Sequence, residues 1–270
     1  MSISADRVLE ECIQAIRPYL DQLVVAGGWV PYLYVKLYEG AATHEPLLTV
    51  DFDAVIARHA FVEHSITLDK TILSAGFNYD FASLDIPPVV KYVKNLEENQ
   101  QAEIEFLTEA GAAKRPVEVI GSINAQALQY IDVLLDEPWS FPLEDYALTG
   151  SGCLKVPRPS QYVLHKILVA PRRKGVRKTA KDLYYAFYVL DAFPAWRAEI
   201  LDQLSHLSHQ KNAQAAATYL ATMFADIDSP GVEHVVSQRP QTAYATMTDD
   251  QFRQYCMHRM SELRSALLRP

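Results

Sequence analysis

The spacing of apolar residues changes character partway along this chain of 270 residues, and that change limits the folds open to it. In the first part the apolar positions fall into short β-prone runs at Leu23–Ala26, Leu47–Ala57, Val89–Lys94, Ala102–Leu107 and Val117–Ile120. The polar stretch Leu96-Glu97-Glu98-Asn99-Gln100 between two of those runs suits a hairpin connection. An amphipathic helix with Val8, Cys12, Ile16 and Leu20 on one stripe precedes the first strand, a further helix from Trp29 to Tyr38 follows it, and Gly76–Pro88 reads as irregular. Beyond that part Asn124–Leu135, Ser160–Ala170, Thr179–Ala192, Ala195–Leu207, Asn212–Ala225 and Thr248–Leu268 favour helices. The last opens on Thr248-Asp249-Asp250-Gln251, a capping-box pattern. The pattern predicts an α/β or α+β N-terminal half followed by a helical C-terminal half, with the boundary near residues 122 to 158.

Composition narrows the setting. A hydrophobic content of 49% is enough to bury a real core. No stretch approaches the roughly 20 uninterrupted apolar residues of a membrane helix. The start MSISADRVLEECIQ lacks the basic and apolar pattern of a secretory signal. The expectation is a soluble, cytoplasmic protein without a membrane partner. Cys12, Cys153 and Cys256 are odd in number and far apart, which suggests neither a disulfide framework nor a zinc cluster. The formal charge of −8 argues against extended nucleic-acid binding unless positive charge is locally concentrated. One such concentration runs from Arg172 and Arg173 through Lys174, Arg177 and Lys178 to Lys181, beside Asp182, and Lys166 precedes it in a mainly apolar helix. The run could hold a triphosphate or a nucleic-acid backbone, or form a solvated loop between helices. Lys166 either snorkels or has an anionic partner.

Three further features carry chemistry. In Thr49-Val50-Asp51-Phe52-Asp53 one residue separates the aspartates, so on a strand both carboxylates point to the same face, where they can hold hard cations between fixed oxygens. An ordinary exposed strand edge has the same spacing. Gly27-Gly28 lies between a strand and a helix, where glycine lets the backbone approach a phosphate and the helix N-terminus offers unpaired N–H groups. A simple turn is the alternative there. A third acid is available in Ala102-Glu103-Ile104-Glu105-Phe106: Glu105 sits deeper in the apolar run, and Glu103 is the fallback.

Taken together, these residues resemble the polymerase-beta-like nucleotidyltransferases, especially bacterial minimal or toxin-related members with a helical C-terminal region. Gly27-Gly28-Trp29 is similar to that family's Gly-Gly or Gly-Ser motif, Asp51-Phe52-Asp53 to its Asp-x-Asp, and Ile104-Glu105-Phe106-Leu107-Thr108 to the strand supplying the third acid. Lys166, Arg172 or Arg173, and Lys181-Asp182-Leu183-Tyr184 resemble its helical signature. The chain departs from the pattern in having Leu47 where many relatives have arginine, a long Gly-to-Asp interval, and Glu as the third acid.

The resemblance implies an α+β fold, with a small mixed sheet in a nucleotidyltransferase core over 1–122 and a helical bundle over 123–270. It implies Asp51, Asp53 and Glu105 as catalytic residues and as ligands of Mg2+, or alternatively Mn2+. It implies Gly27, Gly28, Lys166, Arg172, Arg173, Lys181 and Asp182 as nucleotide-binding residues. The reaction would move a nucleotidyl group from an NTP such as ATP to a tRNA, a protein hydroxyl or a small molecule. The competing functions are a catalytically silent RNA- or protein-binding module with the same fold, and a metal-dependent hydrolase.

Overall fold

The computed structural model describes residues 5–60, 65–81, 89–97, 100–111, 117–119, 122–240 and 242–269. Its chain divides into two compact units: Met1–Leu37 with Leu48–Arg158, and Tyr38–Leu47 with Pro159–Pro270. The architecture is mixed α+β. Among the described residues no helix is long and apolar enough to cross a membrane.

The first unit is built on a mixed sheet. Its strands are β1 (Leu23–Ala26), β2 (Asp51–Ile56), β3 (Asn78–Phe81), β4 (Val90–Asn95), β5 (Gln101–Glu109), β6 (Val117–Val119), β7 (Ile123–Leu128), β8 (Trp139–Pro142) and β9 (Cys153–Val156). The order is β3-β4-β5-β2-β1-β9-β8, with β7 pairing on β5 and β6 on β7. β2 lies antiparallel to β1 and parallel to β5, while β4 and β5 form an antiparallel hairpin. The expected polar connection closes that hairpin, with the Leu96 N–H donating to the Gln100 carbonyl at 2.8 Å.

Period-two alternation gives the sheet two different faces. Phe52, Ala54, Tyr92, Ala102, Ile104 and Phe106 are buried on one of them. Helices α1 (Ala5–Ile16) and α3 (Leu68–Ser74) cover that side. Lys94 donates to Glu11 of α1 at 2.7 Å, and the Tyr92 hydroxyl donates to Asp69 of α3 at 2.8 Å. On the other face Val24, Ala26, Val55 and Leu107 pack with Ile131 and Leu134.

Ile131 and Leu134 lie in the segment Asn124–Leu135, which the sequence reading makes a helix. The structure corrects this. Ile123–Leu128 is a strand whose residues pair in parallel with Leu107–Glu109, and only Asp132–Leu135 (α4) is helical. Tyr130, at φ 65°, breaks the backbone between them. Residues 123–158, expected in the helical half, thus supply β7, β8 and β9 to the sheet.

The second unit is helical: α5 (Pro159–Val169), α6 (Val176–Ala192), α7 (Pro194–His206), α8 (Lys211–Met223), α9 (Pro230–Gln238) and α10 (Asp249–Leu268). α6 is its central element, buried almost continuously from Ala180 to Phe193. The segment 38–47, between α2 (Trp29–Leu37) and β2, belongs to this unit. The Tyr188 hydroxyl donates to the His44 carbonyl at 2.8 Å, and the Tyr185 hydroxyl to the Leu47 carbonyl at 2.9 Å. The buried Asp191 carboxylate accepts from the Tyr244 and Tyr255 hydroxyls, and Arg259 stands 3.4 Å from it. α10 begins with the expected capping box between Thr248 and Gln251.

Candidate active site

Parallel pairing of β2 with β5 turns two sequence patterns into one surface. Asp51 stands opposite Glu103, and Asp53 opposite Glu105. Alternate residues share a strand face and paired residues share it across the ladder, so all four acids lie together. Acids two apart on one strand are roughly 6.6 Å from each other, and ladder neighbours roughly 4.8 Å. Each is intermediate in exposure. They occupy the open end of the face whose other end is filled by Val55, Leu107, Ile131 and Leu134.

The turn between β1 and α2 closes on these acids. Ala26 pairs with Asp53, and Gly27 follows it with φ 67°. A Cβ on Gly27 would lie 1.9 Å from Asp53 Oδ2. Both the left-handed backbone and the close approach therefore require glycine at this position. Gly28 is buried, and α2 begins at Trp29, where the first-turn N–H groups have no partner within the helix.

β4 adds a residue that the sequence reading does not single out. Lys91 is the direct ladder partner of Glu105, and on the other side it pairs with Asp80 of β3. Its ammonium ion-pairs with Glu105 and stands 3.7 Å from Glu103. Burial works against the Lys91 charge, but Glu105, Glu103 and Asp51 outweigh it and raise the pKa above the ordinary lysine value. One row across the sheet therefore reads Asp80, Lys91, Glu105, Asp53. The signal that could have found Lys91 is the hairpin itself: closing the turn between Leu96 and Gln100 and counting back along both strands pairs Lys91 with Glu105.

The oxygen-only pair Asp51 and Asp53, fixed on one strand, has the donor chemistry that hard divalent cations take. Among the described residues, no three His, Cys, Asp or Glu side chains are grouped to hold a metal ion. Glu105 is already engaged by Lys91.

The other candidate residues lie in the helical unit. Lys166 on α5 is 3% exposed and donates to Asp182 Oδ1 at 3.0 Å. Its ammonium also stands 5.2 Å from the ring centres of both Tyr162 and Tyr185. Arg173 donates through Nε to Asp182 Oδ2 at 2.5 Å. Burial alone would push the Asp182 carboxyl up, but Lys166 and Arg173 hold it below the ordinary value. Lys181 Nζ lies 5.8 Å from the Tyr185 ring centre, and Arg172 is exposed. The structure thus joins Lys166, Arg173 and Asp182 into one buried-to-surface group and gives Asp182 two cationic partners. Beside Lys166, His165 is enclosed with its Nδ1 unpartnered among the described residues, and burial, then the Lys166 charge, lower its pKa to about 3.

Comparison with known proteins gives these features a family. The structure of an antigenic nucleotidyltransferase-like protein from Paracoccidioides brasiliensis is similar to this one at TM-score 0.46 and 16% identity, over 90% of this chain and 99% of that chain. No protein of curated function matches. Residues 7–208 match the sequence profile of a family described as nucleotidyltransferase. That match covers the glycine turn, the Asp-x-Asp strand, the third-acid strand and the Lys166–Asp182 group, and the chain belongs to this nucleotidyltransferase family.

Proposed function

We propose that the acid face of the first unit transfers a nucleotidyl group from an NTP to an acceptor hydroxyl. One observation carries the reading: Gly27 is pressed against the Asp53 carboxylate, and Asp53 is in register with Glu105, so a phosphate-type turn and three acids meet on one surface. The Gly27-Gly28 turn and the α2 N-terminus bind the triphosphate through backbone N–H groups. Asp51 and Asp53 would hold Mg2+ or Mn2+, and an ion of this kind would supply counter-charge to the triphosphate. Glu105, the acid paired with Asp53, takes the proton of the acceptor hydroxyl as its oxygen bonds to the α-phosphorus. The bond from the α-phosphorus to the bridging oxygen breaks, and pyrophosphate leaves.

Lys166, Arg172, Arg173 and Lys181 are assigned a contribution to phosphate binding, with Asp182 orienting Lys166 and Arg173. On this reading Arg173→Ala raises KM for the NTP with less effect on kcat.

The test is to incubate the protein with each α-phosphate-labelled NTP, a divalent cation, and separate pools of RNA, protein and small molecules. Label should move into one pool with wild type and not with Asp53→Asn. Release of free nucleotide without any labelled acceptor would instead identify a hydrolase.

A further inference from the structure

Lys174, Arg177 and Lys178 form a charged patch on the helical unit that the transfer reading leaves unused. Residues 146–181 hold nine of the 25 Lys and Arg and no Asp or Glu, in a chain whose formal charge is −8. Asp182, the next acid along the chain, is buried and already has Lys166 and Arg173 as partners. Residues 171–178 are exposed throughout, and among the described residues the side chains of Lys174, Arg177 and Lys178 make no hydrogen bond or ion pair. Their placement also works against the fold. The cap residue of α6, Gly175, offers no side-chain hydrogen bond, and the first turn carries Arg177 and Lys178 but no acid. The positive end of the helix dipole disfavours cations there. α1, α3, α9 and α10 instead carry acids in their first turns. A local rule broken without a compensating contact marks residues kept for function rather than for stability.

We infer that Lys174, Arg177 and Lys178 dock the phosphodiester backbone of a single-stranded RNA. Charge complementarity selects the occupant. Cations strung along one short segment match a strand with one negative charge per nucleotide, and such a contact is independent of base sequence. Protein interfaces are depleted in lysine and anchored by aromatic side chains, whereas this patch has two lysines and no aromatic residue. A membrane surface needs an apolar face or an acyl anchor beside the basic residues, and Val176, 70% exposed, is the one large hydrophobic side chain exposed in residues 171–178. RNA is preferred to DNA because its 2′-hydroxyl gives the same donors a further acceptor. The docking is independent of the chemistry on the acid face.

Fluorescence anisotropy of the full chain with a labelled, mixed-sequence RNA strand of about 12 nucleotides, within the usual site size of a single-strand binder, tests this over a salt series. Wild type should bind, with log affinity falling linearly against log salt. Lys174→Gln, Arg177→Gln and Lys178→Gln combined should weaken binding at least about tenfold and lower the salt slope by about 2, since each phosphate neutralised on a single strand contributes about 0.7. The melting temperature of that variant should equal or exceed wild type, because two cations leave the positive end of α6. Lys70→Gln, Lys211→Gln and Arg269→Gln, which remove three exposed cations from other elements, should together change affinity by less than about threefold, because charges that touch no phosphate release few counterions. Should the first triple variant not fold, Lys174→Gln alone, outside α6, should lower the slope by about 0.7. No RNA binding by wild type, an unchanged slope in the folded variant, or an equal loss in the control variant overturns the inference. Tighter binding of a polyglutamate peptide, of vesicles rich in anionic lipid, or of a DNA strand of the same sequence overturns the choice of RNA.

Discussion

Gly27 and Asp53 show how tightly single residues set this site. Gly27 combines a φ of 67° with a Cα that leaves no room for a Cβ beside the Asp53 carboxylate. Gly27→Ala should therefore lower stability by about 1–2 kcal/mol from the left-handed backbone alone. Turnover should fall more steeply, because Asp53 has to move. Wild-type stability in a denaturant titration would contradict this. Asp51→Asn and Asp53→Asn should each abolish turnover while leaving metal-free stability equal or higher, since like charges on one strand face repel. A marked loss of stability with turnover intact would make these acids structural. The aspartate spacing and the glycine pair were legible in the sequence because strand alternation and backbone permissiveness are local properties. Lys91 was harder to see, because its place beside Glu105 follows from pairing between strands.

At the scale of elements, the Asp182 group and His165 predict how the helical unit responds to mutation and pH. Asp182→Ala leaves the buried Lys166 without its carboxylate, and breaking such a pair costs about 3–5 kcal/mol. Circular dichroism melts of this variant should show that loss, and a change within error of zero would contradict it. His165 has a folded pKa of about 3 against an ordinary 6.5. As pH falls below 6.5, an unfolded chain takes up a proton that the folded chain refuses. The stability tied to neutral His165 is thus complete above pH 6.5 and is lost as pH falls toward 3. The slope approaches about 1.4 kcal/mol per pH unit, the value for one proton. His165→Leu should flatten the slope over this window, and an unchanged slope would exclude His165 as its source. The helices α5, α6, α7, α8 and α10 were readable because 3.6-residue spacing repeats over several turns. β7 was not: Ala125, Leu128, Ile131 and Leu134 fall at helical intervals, yet Ile123–Leu128 pairs with β5 and Tyr130 turns the chain before α4. Four-residue strands such as β8 and β9 are too short to carry a period.

At the scale of the whole molecule, the chain passes between its two units three times, at 37/38, 47/48 and 158/159. The α+β composition was legible from the change in apolar spacing. The insertion of Tyr38–Leu47 into the helical unit was not, because its anchors join residues far apart in sequence, among them the hydrogen bonds from Tyr185 and Tyr188 to backbone carbonyls and the ring contacts of Tyr38 with Phe193 and Trp196. The family match extends across these crossings, from residue 7 to residue 208. The most direct test follows pyrophosphate release and incorporation of α-phosphate label in the same reaction, with wild type and Asp53→Asn compared at equal folded concentration. Wild type should release pyrophosphate and labelled acceptor in equal amounts, and the variant should lose both by about a hundredfold or more, the scale of removing a key electrostatic contact. Equal transfer by the two proteins would contradict it.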